Sequence, residues 1–216
     1  MERLPLFPLD TVLFPKQALT LHIFEERYKT MIGRCIEQGA PFGVVLIRSG
    51  KQVGGDAVPY DVGTTARIAR VQRLPDGKLN LIALGRQRFR VLSLDRSEPF
   101  LTGEIEYLVS EAAEGGAVPR EADRVATLFA EQFRLVMALS NQWTRDLNLP
   151  GEADALADFV AAQIEAPADV KQELLETLPV LSRLRRESEL LGELIRTLTQ
   201  RWEEVQRKRF AGASLN

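Results

Sequence analysis

The sequence predicts an α+β protein in which a small β-domain is followed by an α-helical bundle that ends in a long helix. Three observations carry this prediction. Residues 1–109 consist of short apolar runs separated by Gly, Pro and Asp, the pattern of strands and turns. Residues 110–118 are mostly small or acidic, which predicts a flexible linker. Residues 119–216 show helical periodicity, with the last helix expected at about residues 180–208.

The composition is that of a globular protein in a reducing compartment. The chain has 216 residues, of which 45% are hydrophobic and 27% charged, so it can bury a core. Its one cysteine, Cys35, allows no disulfide within the chain and is expected to be a buried apolar residue. No stretch approaches the roughly twenty apolar residues of a membrane span. We therefore expect a cytoplasmic protein without membrane contact, and the net charge of −2 makes nucleic acid an unfavoured ligand.

The N-terminal stretch Leu4–Tyr28 predicts two strands and the start of a helix. Proline has no backbone N–H to donate, and three prolines interrupt this stretch: Pro5, Pro8 and Pro15. We therefore expect Leu4–Leu9 to be an edge or bulged strand, and Ala18–Ile23 to pair without interruption. Apolar residues then recur at helical spacing as far as Cys35, which predicts a helix that lies on the sheet and ends at Gly39.

A β-hairpin is predicted around Pro75-Asp76-Gly77, where the Asp-Gly pair permits the positive φ angles of a tight turn. The strand that follows places three arginines on one face: Arg86, Arg88 and Arg90. Two interpretations of this face are open. It is either a patch for an anionic ligand or one side of a cross-strand pairing with Glu104 and Glu106. We favour the pairing.

The sequence contains no group of residues that would perform catalysis. Its one histidine, His22, is expected at a strand end as a surface or hinge residue, and no Gly-x-Ser-x-Gly elbow is present. The glycine-rich loop after Ser49 is not a phosphate-binding loop, because neither Ser nor Thr follows Lys51. We predict no catalytic residue, no metal site and no cofactor.

Three segments of the sequence resemble the N-terminal domain of Lon proteases. The first is LPLFPLD, followed by VLFP and HIFEERY; the second is Asp61–Val91 with its G-T-x-A, D-G and G-x-x-R-F motifs; the third is Asp154–Leu178 with LAD and KQELLE. The resemblance implies a PUA-like mixed β-barrel with one packed helix. It also implies a role in capturing protein substrates and in oligomer assembly. Lon's ATPase and Ser-Lys protease modules lie further along that enzyme, so we expect a stand-alone relative without them.

From this resemblance we expect a non-enzymatic module that recognises peptides or unfolded proteins, or that acts as an adaptor to proteolysis. The proline-broken apolar edge would bind the ligand with little sequence choice. The predicted peptide-binding residues are Phe7, Leu13, Phe14, Pro15 and Tyr28. For Phe7 and Phe14, packing in the core is an equally open alternative.

Two other functions remain open. PUA-like barrels elsewhere bind RNA, and five arginines would contact phosphate: Arg67, Arg70, Arg86, Arg88 and Arg90. The last helix also carries a coiled-coil seam, formed by Leu181, Leu184, Ser188, Leu191, Ile195, Leu198, Trp202 and Val205. We favour packing of this helix within the chain, with homo-oligomerisation or a partner helix as the alternative.

Overall fold

The computed structural model describes residues 2–51, 54, 57–111, 116–142 and 147–213, with side chains as far as Lys208. Its strands are β1 (Glu2–Leu9), β2 (Ala18–Ile23), β3 (Phe42–Ser49), β4 (Val58–Arg73), β5 (Leu79–Asp95) and β6 (Thr102–Tyr107). Its helices are α1 (Glu26–Gln38), α2 (Ala117–Leu139), α3 (Ala153–Gln163), α4 (Ala168–Glu176) and α5 (Val180–Ala213). The predicted α+β class and the long last helix are confirmed.

The chain divides into two compact units. The barrel unit comprises Met1–Ser110 and Ala161–Leu178, and the helical unit comprises Glu111–Val160 and Pro179–Asn216. The sequence placed all of residues 119–216 in one helical domain, whereas α4 belongs with the barrel. Of the predicted linker 110–118, residues 112–115 lie outside the described residues, and residues 117–118 already belong to α2.

The barrel unit contains a mixed six-stranded sheet in the order β2-β5-β4-β3-β1-β6. A further pairing between β5 and β6 closes five of these strands into a ring. The pairing of β1 with β3 is parallel, and the other strand pairs are antiparallel. The predicted mixed β-barrel is thus confirmed, and helix α1 is its predicted packed helix.

Strand β1 is not an edge strand, which corrects the prediction from its prolines. Residues 2–5 pair with β6, and residues 6–9 pair with β3. The change of partner occurs between Pro5 and Leu6, whose N–H donates to the carbonyl of Leu101 at 2.8 Å. Pro5 and Pro8 each remove only one backbone N–H donor. Because β1 changes partner between them, it still pairs with a strand on each side and closes the ring.

Strands β4 and β5 continue beyond the barrel and form an arm together with β2. The pairing of β3 with β4 ends at Phe42 and Ala66, so residues 67–73 of β4 pair with β5 alone among the described strands. Likewise, β2 pairs with residues 79–84 of β5 and with no other described strand. We call these three segments the arm: residues 18–23, 67–73 and 79–84. Its two outer strands each have one unpaired edge.

The inner face of the arm and helix α1 enclose one apolar core, and the barrel encloses another. Helix α1 buries residues at helical spacing, from Tyr28 to Cys35, and ends at Gly39 with φ +63°, as predicted. The barrel interior is filled by buried side chains that include Leu4, Leu6 and Phe89. The barrel interior is tightly packed at Gly63, where an added Cβ would lie 2.3 Å from the carbonyl oxygen of Val44 and 2.8 Å from the ring of Phe89.

The predicted hairpin joins β4 to β5. The N–H of Gly77 donates to the carbonyl of Leu74 at 3.0 Å, and Leu74 also pairs with Lys78. Gly77 has φ +75°, whereas Asp76 does not have a positive φ. The turn is therefore a three-residue hairpin loop that requires left-handed backbone only at its glycine.

Replacing Gly77 with valine should lower the free energy of unfolding by more than about 1 kcal/mol, because a β-branched residue is strained at positive φ. Gly77→Asn is the control and should cost less, since asparagine tolerates this conformation. Denaturant unfolding followed by circular dichroism gives both values. Equal stability of Gly77→Val and the unmodified protein would contradict the turn geometry.

Helix α4 is held on the barrel by two polar side chains. Gln172 Nε2 donates to the carbonyl of Val62 at 2.9 Å, and Arg88 Nε donates to the carbonyl of Leu175 at 2.9 Å. Both Gln172 and Arg88 are buried. Because buried polar groups keep hydrogen-bond partners, these contacts explain why α4 groups with the barrel.

The helical unit is organised around a buried arginine on α5. Arg183 is completely buried and forms ion pairs with Asp154 and, at 3.7 Å, with Asp158 of α3. Helix α2 packs against α5, where Ser188 Oγ donates to Glu121 Oε1 at 2.6 Å. Across the described residues, no helix has the length and hydropathy needed to cross a membrane.

Candidate functional site

Most of the predicted peptide-binding residues lie in the core of the barrel unit. Phe7, Leu13, Phe14 and Tyr28 are buried, and the rings of Phe7 and Tyr28 stack with centroids 4.0 Å apart. Pro15 is partly exposed. The structure therefore places Phe7 and Phe14 in the core position that the sequence left open. A ligand surface in the barrel unit has to be built from other residues.

The five predicted arginines do not form one patch. Arg88 is buried under α4, as described above. Arg90 lies opposite Glu106 and pairs with it at 3.2 Å, so the favoured cross-strand pairing is found for one of the three arginines of β5. Arg67, Arg70 and Arg86 are exposed. Of these, Arg67 and Arg70 lie in the β4 segment of the arm.

The strand register defines the outer, solvent-facing surface of the arm. Directly opposite residues in paired strands share a face. Three rows result, each with one residue from β2, β5 and β4: Ala18, Leu84 and Arg67; Thr20, Ile82 and Arg70; His22, Asn80 and Gln72. We call these nine residues the arm face. Its centre is apolar and its β4 side is cationic.

The two central apolar residues are unusually exposed for a sheet. Ile82 is 37% exposed and Leu84 is 38% exposed. At the end of β2, the ring of Phe24 is 49% exposed and its centroid lies 6.2 Å from that of His22. Nδ1 of His22 lies 2.7 Å from Asn80 Oδ1, so the hydrogen bond between them orients the imidazole at this end of the arm face.

The charges of the arm are all of one sign. Its three segments contain three arginines, Arg67, Arg70 and Arg73, and no aspartate or glutamate. Within the part of the chain that the structure describes, none of these three arginines forms an ion pair with a carboxylate. The arm face therefore combines exposed apolar side chains with a positive border.

Sequence reasoning missed Ile82 and Leu84. The segment LNLIAL alternates so that Leu79, Leu81 and Ala83 point to the core, and the opposite face would then be expected to be polar. Asn80 meets this expectation, whereas Ile82 and Leu84 do not. The signal was thus a strand with apolar residues on both faces, which predicts either complete burial or a contact surface.

The barrel unit also contains a pocket, which lies apart from the arm face. It is a pocket of about 190 Å³ that Arg27, Tyr28, Arg96, Glu98 and Phe100 help to line. Arg27 pairs with Glu25 at 2.9 Å, and Glu98 pairs with Arg34 at 3.1 Å. Burial raises the pKa of Tyr28, an effect that Arg27 partly offsets. The charges lining the pocket thus already have partners within the protein.

The thiol of Cys35 and the possible metal ligands were the remaining candidates for chemistry among the described residues. Burial raises the pKa of Cys35 to about 11, so its thiol is protonated at neutral pH and does not act as a thiolate. No group of three or more His, Cys, Asp or Glu residues in the described ranges is placed to hold a metal ion.

Sequence comparison connects this chain to one protein family. Residues 3–193 match the family model described as the ATP-dependent protease La (LON) substrate-binding domain. The Lon protease of Anaeromyxobacter dehalogenans is 29% identical over 88% of this chain and 23% of that protein. The Lon protease of Porphyromonas gingivalis is 30% identical over 81% of this chain and 21% of that protein. This chain therefore spans less than a quarter of the length of these relatives.

Structural comparison agrees with the sequence comparison. The Lon N-terminal domain protein from Xanthomonas campestris has a TM-score of 0.65 and 27% identity, covering 86% of this chain and 96% of that one. The N-terminal domain of the Mycobacterium avium complex Lon protease has a TM-score of 0.61 and 18% identity, with coverages of 88% and 98%. The latter supports the fold alone. The protein belongs to the Lon substrate-binding domain family.

Proposed function

We propose that this protein is a non-catalytic recognition module that binds extended segments of other polypeptides on its arm. One observation carries the proposal: Ile82 and Leu84 are exposed at the centre of a sheet whose two outer strands each have an unpaired edge among the described residues. The family match to a substrate-binding domain supports the same role.

The arm offers two kinds of contact to an extended segment. An unpaired strand edge supplies backbone donors and acceptors, which bind a peptide main chain without strict choice of sequence. The exposed apolar side chains add contact area beside that edge. Because the site is a shallow surface and not a deep pocket, we expect dissociation constants in the roughly micromolar range for a short segment.

The preferred client is an unfolded or partly unfolded protein. A folded protein pairs its strands and buries its apolar side chains, so it rarely offers an extended apolar segment. An unfolded chain offers many such segments. Binding of this kind would make the protein an adaptor that brings unfolded clients to proteolysis, in keeping with the family to which it belongs.

RNA binding is the competing function, and it is favoured by Arg67 and Arg70 on the same face. The two functions differ in their response to salt, because phosphate contacts release counterions and weaken steeply as salt rises.

Assembly through α5 also stays a prediction. Leu184 and Leu191 of its seam are already buried within the chain, so a further partner would have to use the remainder, and light scattering would measure the resulting mass.

The test replaces both central apolar residues of the arm face with serine. The variant Ile82→Ser/Leu84→Ser should weaken binding of a fluorescently labelled, reduced and alkylated protein by roughly five- to thirtyfold, since each side chain contributes about 0.5–1 kcal/mol from its exposed area. Leu92→Ser is the matched control, because Leu92 lies on the same strand outside the arm and is 47% exposed. Its affinity should equal that of the unmodified protein.

Two results would overturn the proposal. The first is equal binding by the unmodified protein, the double variant and Leu92→Ser, which would place the contact elsewhere. The second is the absence of polypeptide binding together with salt-sensitive binding of a single-stranded RNA oligomer. A melt of each variant checks that the double substitution leaves the fold intact.

A further inference from the structure

We propose that the free edge of β4, residues 67–73, takes an extended segment in which acidic and apolar side chains alternate. This inference rests on the proposed function and names the class of segment that the arm selects. It starts from the directions of the β4 side chains. Arg67 and Arg70 share the rows of Leu84 and Ile82 on the arm face, whereas Ile68 and Val71 pack against the core on the other side.

A bulge in β4 keeps this pattern in place. The register shifts between Ile68 and Arg70, so Ala69 is an extra residue between two rows. As a result, two arginines occupy successive rows of the arm face despite being three residues apart in sequence. A partner strand next to this edge would present side chains to both arginines from alternate positions of its own chain.

The other face of the same edge is apolar at Ile68 and Val71 and ends at Arg73, which lies opposite Leu79. Ile68 and Val71 are only partly buried, and so is Ile36 of α1, which packs against the same core. A strand added beside β4 would point its remaining side chains towards this half-covered apolar surface. The edge thus favours carboxylates on one side of the segment and apolar groups on the other, which is an alternating pattern.

Charge also identifies the partner as another polypeptide. The face residues of β2 are Ala18, Thr20 and His22, which offer no guanidinium to a carboxylate. Pairing of two copies of this chain through their β4 edges would bring arginine rows together, and like charges across strands are unfavourable. The complementary occupant of residues 67–73 is therefore an acidic segment and not a second copy.

The test uses three labelled nonapeptides that alternate valine with glutamate, lysine or serine. The glutamate peptide should bind the full-length protein about tenfold more tightly than the serine peptide at low salt, and the lysine peptide more weakly than either. The variant Arg67→Glu/Arg70→Glu should reverse this order. Arg201→Glu/Arg207→Glu makes the same change of net charge at exposed positions of α5 and should leave the order unchanged.

Backbone N-methylation tests strand addition directly. Two versions of the glutamate peptide, methylated at the odd or the even residues, remove alternate N–H donors without changing the charge. One version should lose binding and the other keep it, because only alternate N–H groups of an added strand face β4. Equal binding by both versions would overturn strand addition at this edge.

The remaining outcomes separate this inference from the proposed function. If the unfolded protein binds and Ile82→Ser/Leu84→Ser weakens it, but peptide charge has no effect, the inference fails and the proposed function stands. If no polypeptide binds, both fail. If a single-stranded RNA oligomer binds more tightly than the glutamate peptide and depends on Arg67 and Arg70, the edge serves nucleic acid and the inference is overturned.

Discussion

Replacing Phe14 with alanine should lower the free energy of unfolding by about 3–5 kcal/mol, because the ring is completely buried and its removal leaves a cavity. The backbone at this position is also tightly packed. The N–H of Phe14 donates to Gln17 Oε1 at 2.9 Å, and a Cβ on Gly85 would lie 2.2 Å from the carbonyl oxygen of Phe14. The surroundings therefore have little freedom to fill the cavity.

Phe24→Ala provides the matched control for this measurement. Phe24 is 49% exposed, so its replacement should cost less than about 1 kcal/mol. Denaturant unfolding of both variants, followed by circular dichroism, gives the comparison. Equal stability of Phe14→Ala and Phe24→Ala would show that Phe14 is a surface residue, and it would return the peptide-binding role to the segment around Leu13.

Replacing Arg183 with alanine should destabilise the helical unit by about 3–5 kcal/mol, because the substitution leaves buried negative charge without its counter-ion. Asp158 is almost completely buried beside Arg183, so water cannot take over the lost ion pair. Trp202 lies on α5 in the helical unit, and its fluorescence would follow the unfolding of that unit.

Two further variants identify the cause of the Arg183 effect. Arg185→Ala removes an exposed arginine from the same helix and should change stability by less than about 0.5 kcal/mol. The double variant Arg183→Met/Asp158→Leu removes both charges of this buried pair and should recover much of the loss. If Arg183→Ala is as stable as Arg185→Ala, the ion pairs of Arg183 do not hold the helical unit together.

The elements that the sequence predicts well are those with local causes. The turn at Gly77, the helix that ends at Gly39 and the long helix α5 each follow from a few neighbouring residues. The closure of the barrel does not. The prolines of β1 show which backbone N–H donors this strand lacks, but they do not show its partners. Because β3 and β6 come from later parts of the chain, an edge strand and a strand within a closed ring would have the same local sequence pattern.

The candidate site was harder to predict because burial is a property of the whole fold. Phe7 and Phe14 are as apolar as Ile82 and Leu84, yet the first pair is buried and the second pair is half exposed. Side-chain polarity misleads in the same way. Arg88 and Gln172 are of polar types that usually lie on the surface, and only the fold shows that they hold α4 on the barrel.

The discontinuity of the barrel unit has a consequence for biosynthesis. A nascent chain that has reached Ser110 contains every strand, but Arg88 and the carbonyl of Val62 still lack Leu175 and Gln172. Residues 111–178 must first be translated, which takes on the order of ten seconds at about 5–20 residues per second. During that interval α4 does not yet cover Arg88 and the carbonyl of Val62, so the barrel unit is completed only after the chain through Leu178 has been made.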